Sequence, residues 1–332
     1  MKGFGSSALL VALLFGGWYF LTNYDVDGLD ALSVEPKQAA SGDGSQPVGQ
    51  DGDPGSIPVV PGKKTIRIAT VNLGPFDRQK LDTPRVAASL VKIARQFDVL
   101  AIQDVRAANQ TLLADFVAKI AADGGYYDFV VPPEVGRTPV EQYTAILFDR
   151  AAVAVDRTTV YTVEDDKGRI RRPPLVASFQ ARGPGGNEAF TFTLINVHVD
   201  ASQSAVELDL LDDAYRAVRD SGRGEDDVIV LGDFNADPRH AGQLAQLPNA
   251  TWAVNDKPTT TRGTRLVGNI LFDGRASMEF TGRSGTFDLM RELNLTMREA
   301  VEVSDHLPVW AEFSIFEGGE AARLASQTVT TR

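Results

Sequence analysis

The chain has 332 residues, enough for one large or two modest domains, and 43% of them are hydrophobic, the level of a globular protein with a real core. A net charge of −11 excludes a surface that coats polyanions at large, because non-specific nucleic-acid binding relies on Lys and Arg neutralising phosphates; an enzyme that meets phosphate through a few local cations and a metal is still allowed. Cysteine is absent, which excludes a disulfide framework, a thiolate metal site and a thiol nucleophile.

Residues 4–21 carry no charge and end in Trp18, Tyr19 and Phe20. As a helix the run spans about 27 Å, near the hydrocarbon thickness of a bilayer. The aromatic cluster suits an interfacial belt. A cleaved signal peptide is the rival reading, although no small-x-small cleavage site follows the run. Residues 1–24 are therefore expected to form a signal anchor, with Lys2 inside and the rest of the chain extracytoplasmic, tethered to the membrane or secreted if the segment is cleaved. Residues 25–63 are rich in Gly, Pro, Ser and Asp and read as a flexible linker.

From residue 64 the chain becomes regular. Residues 65–71 alternate like a strand, and residues 83–97 have helical spacing, with Thr83 as N-cap and Pro84 at the first helical position. Residues 98–102 read as an apolar strand and 109–122 as a second amphipathic helix. Strands follow at 126–131, 143–148, 152–163, 173–181 and 190–197, then a helix at 205–218. Val228-Ile229-Val230-Leu231 reads as a buried strand that stops at Gly232 and is followed by Asp233, Phe234 and Asn235. Short strands near Ile270 and Ala276, Val301 and the stretch 308–315 close the domain, and residues 317–332 read as a disordered tail. Most strands are too closely spaced for helical crossovers. The pattern predicts a mostly antiparallel, sandwich-like core with helices outside.

Polar groups recur where these strands end. Asn72 ends the first, Gln103-Asp104 another, and Glu141 precedes a third. His198 follows Asn196-Val197, and His306 follows Ser304-Asp305, while the third histidine, His240, reads as structural. A solvated rim accounts poorly for so many polar strand ends, whereas a shared cleft accounts for them well. The cluster of Lys167, Arg169, Arg171 and Arg172 fits a polyanion and fits a solvated hairpin equally.

The ordered elements Asn72, Gln103-Asp104, Glu141-Gln142-Tyr143, Arg171-Arg172-Pro173, Asn196-Val197-His198, Gly232-Asp233-Phe234-Asn235 and Ser304-Asp305-His306-Leu307-Pro308 resemble the endonuclease/exonuclease/phosphatase superfamily. The Glu-x-Tyr and Arg-x-Pro elements resemble its deoxyribonuclease I-like branch. The resemblance covers residues 64–316 and implies a four-layer α/β/β/α sandwich that hydrolyses phosphodiesters with Mg²⁺ or Mn²⁺. It implies metal ligation by Asn72 and Asp104 with Asp305 nearby, and positioning of the attacking water by Asp233 and Asn235. His306 would polarise the phosphate or act as base, and His198, oriented by Glu141, would protonate the leaving oxygen. Arg171 and Asn196 would bind substrate. The chain departs from the pattern in having Asp104 where the family has Glu, and Gly268 where it has the Asp that orients the final histidine. Nucleic acid is the expected substrate, with no protein partner evident. A phospholipid or inositol-phosphate headgroup, or a degenerate site that only binds a phosphorylated ligand, are the alternatives.

Overall fold

The computed structural model describes residues 24–27, 33–36 and 62–319, apart from positions 123, 137–141, 164, 166, 222 and 223. The expected anchor helix lies outside them, as does most of the expected tail. Among the described residues no helix is long and apolar enough to cross a membrane. The chain divides into two compact units, Met1–Gln50 and Asp51–Arg332. In the first, β1 (Tyr24–Asp27) and β2 (Ser33–Pro36) pair antiparallel, within the stretch read as linker.

The second unit runs β3 (Thr65–Phe76), α1 (Arg78–Asp82), α2 (Pro84–Ala94), β4 (Val99–Val105), α3 (Thr111–Ala121), β5 (Tyr127–Val130) and β6 (Tyr143–Asp149). It continues through β7 (Val153–Thr162), β8 (Leu175–Ala181), β9 (Thr191–His198), α4 (Ser204–Arg219), β10 (Val228–Asp233) and β11 (Ala250–Trp252). The closing elements are β12 (Gly268–Asp273), β13 (Phe280–Thr286), α5 (Leu289–Leu293), α6 (Met297–Val303) and β14 (Val309–Ser314).

Two six-stranded sheets result, in the orders β13-β14-β3-β4-β6-β5 and β11-β12-β10-β9-β8-β7. Their inner faces meet in one apolar layer, where Ile66, Ile68, Phe148, Phe192, Ile229, Leu231 and Phe313 are buried. The outer face of the first sheet packs on α2 and α3 through Leu90, Ile93, Leu112 and Phe116. The outer face of the second packs on α4 through Leu208, Leu211 and Tyr215. This is the four-layer α/β/β/α sandwich. Central β4 is buried along its whole length, as a strand covered on both faces must be.

Most neighbouring strands are antiparallel, but β3–β4 and β9–β10 are parallel. Those two exceptions position the site. Each parallel pair delivers two carboxyl ends side by side: Asn72 stands opposite Gln103, and His198 opposite Asp233.

Several boundaries differ from expectation for local reasons. Strand β3 runs past Val71 to Phe76, because Gly74 (φ 62°) absorbs a register shift that would otherwise end pairing. Strand β10 continues through Gly232 to Asp233. A Cβ at Gly232 would lie 2.0 Å from the Val197 carbonyl oxygen, so only glycine lets β10 lie this close to β9. The strand expected near Ala276 begins at Phe280, and Val301 belongs to helix α6, whose Thr296 and Glu299 form a reciprocal capping box.

Candidate active site

Asn72, in β3 where the pairing with β4 shifts register, joins the two sheets. Its Nδ2 donates to Asp233 Oδ2 at 2.9 Å and lies 3.4 Å from His198 Nε2. Its Oδ1 accepts from the Gly74 amide at 2.9 Å, which fixes the orientation of the carboxamide. Its main-chain oxygen accepts from the Ser304 hydroxyl, which in turn accepts from the His306 amide. One serine thus ties the His306 loop to β3.

Asp233 accepts the Asn235 amide on its other oxygen at 3.0 Å, while Asn235 donates its side-chain amide to the Val199 carbonyl at 2.8 Å. Asn235 sits at φ 50°, and Asp104 in the β4 bulge at φ 62°. Side chains other than glycine adopt this region at a cost that Asn and Asp bear most easily, and such strain clusters at functional sites. The bulge aims the Asp104 carboxylate at Arg106 Nε (2.8 Å) and Gln142 Nε2 (2.6 Å).

The two histidines flank Asp233. His306 Nδ1 is 3.9 Å from Asp233 Oδ2 and Nε2 is 3.8 Å from Asp305 Oδ1. Nδ1 is buried and makes no hydrogen bond among the described residues. The family's orienting carboxylate would explain this vacancy. Gly268 lies opposite Asp233 across β10–β12, and a Cβ there would meet nothing closer than 3.8 Å.

His198 is buried, and the donors Asn72 Nδ2 and Gln142 Nε2 each lie 3.4 Å from one of its ring nitrogens. Burial first, and Arg172 second, lower its pKa to about 4, against weaker pulls from Asp233 and Asp104. The described surroundings therefore hold His198 neutral, whereas donation to a leaving oxygen needs its protonated form. Glu141, the expected partner, lies outside the described residues.

Of the two adjacent arginines, Arg171 has a 70% exposed side chain and pairs with Asp200 at 3.2 Å. Arg172 is 19% exposed and faces inward, donating to Gln142 Oε1 at 2.9 Å and to the His198 carbonyl at 3.4 Å. Geometry places Arg172, not Arg171, beside Gln142 and His198. Asn196 does not reach the cleft either. It is wholly buried, accepts from Gln103 Nε2 at 2.7 Å and donates to the Ala145 and Ile102 carbonyls, so it links the sheets.

Four contributors lay outside the sequence reading. Gln142 bridges Arg172 to Asp104. Arg106 pairs with Asp104. Buried Glu207 takes the backbone amides of Arg171 and Asp200 on its two oxygens, locking the loop that carries Arg172. Lys80 donates to the Leu73 and Val303 carbonyls. Burial lowers its pKa, while Asp305, Asp77 and Asp104 oppose the shift. Of these, Gln142 stood within a quoted motif without a role of its own, and Glu207 shows in the sequence as an acid on an apolar helix face.

Asn72, Asp104 and Asp305 offer hard oxygens, and Asp104 and Asp305 both act on the Lys80 ammonium, so they border the same polar space. Two carboxylates and one amide oxygen fit a hard cation that retains several waters.

A sandwich whose parallel strand ends gather two histidines, an Asp-x-Asn turn and a pair of acidic oxygen donors is a phosphoesterase architecture. Residues 69–296 match the model of the Endonuclease/Exonuclease/phosphatase family, and the chain belongs to that family. Among curated relatives, deoxyribonuclease gamma of Rattus norvegicus is 25% identical over 274 residues, covering 75% of this chain and 84% of its own. Deoxyribonuclease-1 of Bos taurus is 26% identical, covering 74% and 91%. The likeness therefore falls in the deoxyribonuclease I-like branch. Solved structures with the same fold include humanized D. rerio TDP2, at TM-score 0.52 and 14% identity over 75% of this chain and 98% of that one. A family protein from Bacteroides thetaiotaomicron matches at TM-score 0.50 and 14% identity, over 76% and 98%.

Proposed function

We propose that this chain is a metal-dependent phosphodiester hydrolase acting on nucleic acid. The observation that carries the reading is the placement of His198 and His306 on either side of the Asn72–Asp233 hydrogen bond. A pure binding module has no use for two imidazoles around a buried carboxylate. The similarity to deoxyribonucleases supports the choice of nucleic acid over a lipid headgroup.

In this reading Asp233 and Asn235 orient the attacking water, and His306 contacts the phosphoryl group. His198 serves the leaving oxygen, and because the described surroundings hold it neutral, it must gain a proton as the anionic diester binds. Arg172 holds Gln142 and with it the His198 ring. Asn72, Asp104 and Asp305 would hold a Mg²⁺ or Mn²⁺, which when bound would neutralise charge on the phosphoryl oxygens. The N-terminal apolar run supports placement on the extracytoplasmic side, tethered or released by cleavage; protease access to the catalytic unit on intact cells tests this.

The decisive assay gives the protein Mg²⁺ or Mn²⁺ with duplex DNA, RNA, phospholipid and inositol-phosphate headgroup substrates and an activated diester. Chelator-sensitive DNA cleavage is expected, falling by about 10²–10⁴ in His198→Ala and in His306→Ala. Unchanged turnover in both variants would falsify the reading. One observation favours a second, weaker-turnover reading: His306 Nδ1 is buried without a partner among the described residues, in a chain with Gly268 where the resemblance expects an orienting Asp. Phosphodiester binding without cleavage by the wild-type chain, under all of these conditions, decides for it.

A further inference from the structure

At the amino end of β10, away from the cleft, the chain buries acidic groups that the proposed hydrolysis does not use. Asp227 and Glu279 are both almost wholly buried, and Glu317 is partly so. One carboxylate oxygen from each lies within 4.8 Å of the other two. Glu225 and Asp226 flank Asp227. Among the described residues no Lys or Arg forms an ion pair with any of the five.

The hydrogen bonding is incomplete. Glu279 accepts the Gly318 amide on Oε1, and Glu317 accepts the Thr191 amide on Oε2 at 3.2 Å. Glu279 Oε2 is buried with no partner among the described residues, and the one side-chain donor there that acts on the Asp227 carboxylate is the buried Ser277 hydroxyl. A buried carboxylate oxygen without a donor forfeits its hydration, and like charges at this range repel, so an apolar or fully paired arrangement would be more stable than this one. A hard cation resolves both penalties at once.

We propose that Asp227, Glu279 and Glu317 form a second, structural metal site that takes Ca²⁺. Calcium accepts oxygens in irregular geometry and takes carboxylates through one or both oxygens, whereas Mg²⁺ demands octahedral order and gives up its waters reluctantly. Asp227 leads into β10, Glu279 precedes β13 and Glu317 follows β14, so the ion fastens one sheet to the other. Asp233 lies six residues along β10 from Asp227, about 20 Å away. The proposal stands apart from the cleft and from the reaction assigned to it.

The test uses the full chain, stripped with chelator and held in excess Mg²⁺ to satisfy the cleft, with Ca²⁺ then titrated by calorimetry and by thermal unfolding. Calcium at about 100 times its Kd is expected to raise Tm by about 5–10 °C. Asp227→Asn/Glu279→Gln should lose one bound Ca²⁺ per chain and the Tm response, while Asp305→Asn keeps both. Should the double variant not fold, Glu317→Gln, at the partly exposed ligand, is expected to weaken Ca²⁺ binding by about tenfold or more. A Tm gain that survives in the carboxamide variants overturns the proposal. So does a wild-type protein that binds no Ca²⁺ beyond what Asp305→Asn loses, or one whose Tm follows pH with no response to Ca²⁺, which would mean that the carboxyls share protons instead.

Discussion

The vacancy beside His306 is a one-residue question. Gly268 has ordinary backbone geometry and open space where a side chain would begin, so Gly268→Asp should fold without strain and present a carboxylate toward the unpaired Nδ1. Fixing the tautomer and orientation of a catalytic histidine is worth orders of magnitude elsewhere. An increase in kcat of about tenfold or more with little change in KM is expected. An unchanged or lower kcat would mean that the neighbouring Asp233 already serves His306. The adjacent arginines give a sharper contrast. Arg172→Ala should cut kcat/KM by about 10²-fold, because it frees Gln142 and the His198 ring, whereas Arg171→Ala should stay within about threefold. Equal effects from both would show that the exposed guanidinium grips substrate directly. The sequence placed both arginines in one motif but could not rank them, since the ranking depends on which side of the chain faces the cleft. It also could not show that Asp104 occupies a left-handed bulge, a conformation with no signature in composition or periodicity.

Element by element, the strands that carry the site were legible from alternation and apolar runs, and their misread ends share one cause. Gly74 and Gly232 look like breakers in sequence, yet each lets its strand run on, Gly74 by absorbing a register shift and Gly232 by tolerating close approach to β9. Helices α1 and α5, of five residues each, are too short to establish a 3.6-residue period, so tertiary packing decides them. The same limit explains Asn196. At a strand end next to His198 it resembles a substrate contact, but its amide spans the sheets, pairing with Gln103 and with two main-chain carbonyls. Asn196→Ala should therefore destabilise the fold by about 2–3 kcal/mol in denaturant unfolding, through the one Gln103 N–H that loses its acceptor, the other still donating to Thr70, and through the two carbonyls. KM should hold steady in the residual folded enzyme. A rise in KM with unchanged stability would restore the substrate role.

Across the whole molecule, opposite ends of β10 impose opposite demands on pH. At one end His198 has its pKa lowered to about 4, so the folded state binds fewer protons than the unfolded chain, and stability present near neutrality is lost as pH falls from the ordinary histidine range toward 4. At the other end Asp227 and Glu279 are raised to about 8 and about 7. There the folded state retains protons that the unfolded chain releases, so the stabilisation is complete in acid and is lost as pH rises from the ordinary carboxylate range through 7 and 8. A net charge of −11 adds general repulsion on the alkaline side. In chelator, two raised carboxyls outweigh one lowered histidine, so Tm should fall along an alkaline limb that already begins near the ordinary carboxylate range, at about pH 4.5, and runs to about pH 8. Asp227→Asn/Glu279→Gln should flatten this alkaline limb and expose the acid limb set by His198 below about pH 6.5, while His198→Ala should steepen the fall there. Saturating Ca²⁺ should act on the wild-type alkaline limb as the double carboxamide substitution does, since a cation replaces the lost protons. Scanning Tm from pH 4.5 to 9 for the three proteins, with and without Ca²⁺, checks each limb separately; an alkaline limb untouched by the carboxamides would mean that the Asp227 cluster does not govern stability at that end of the sandwich.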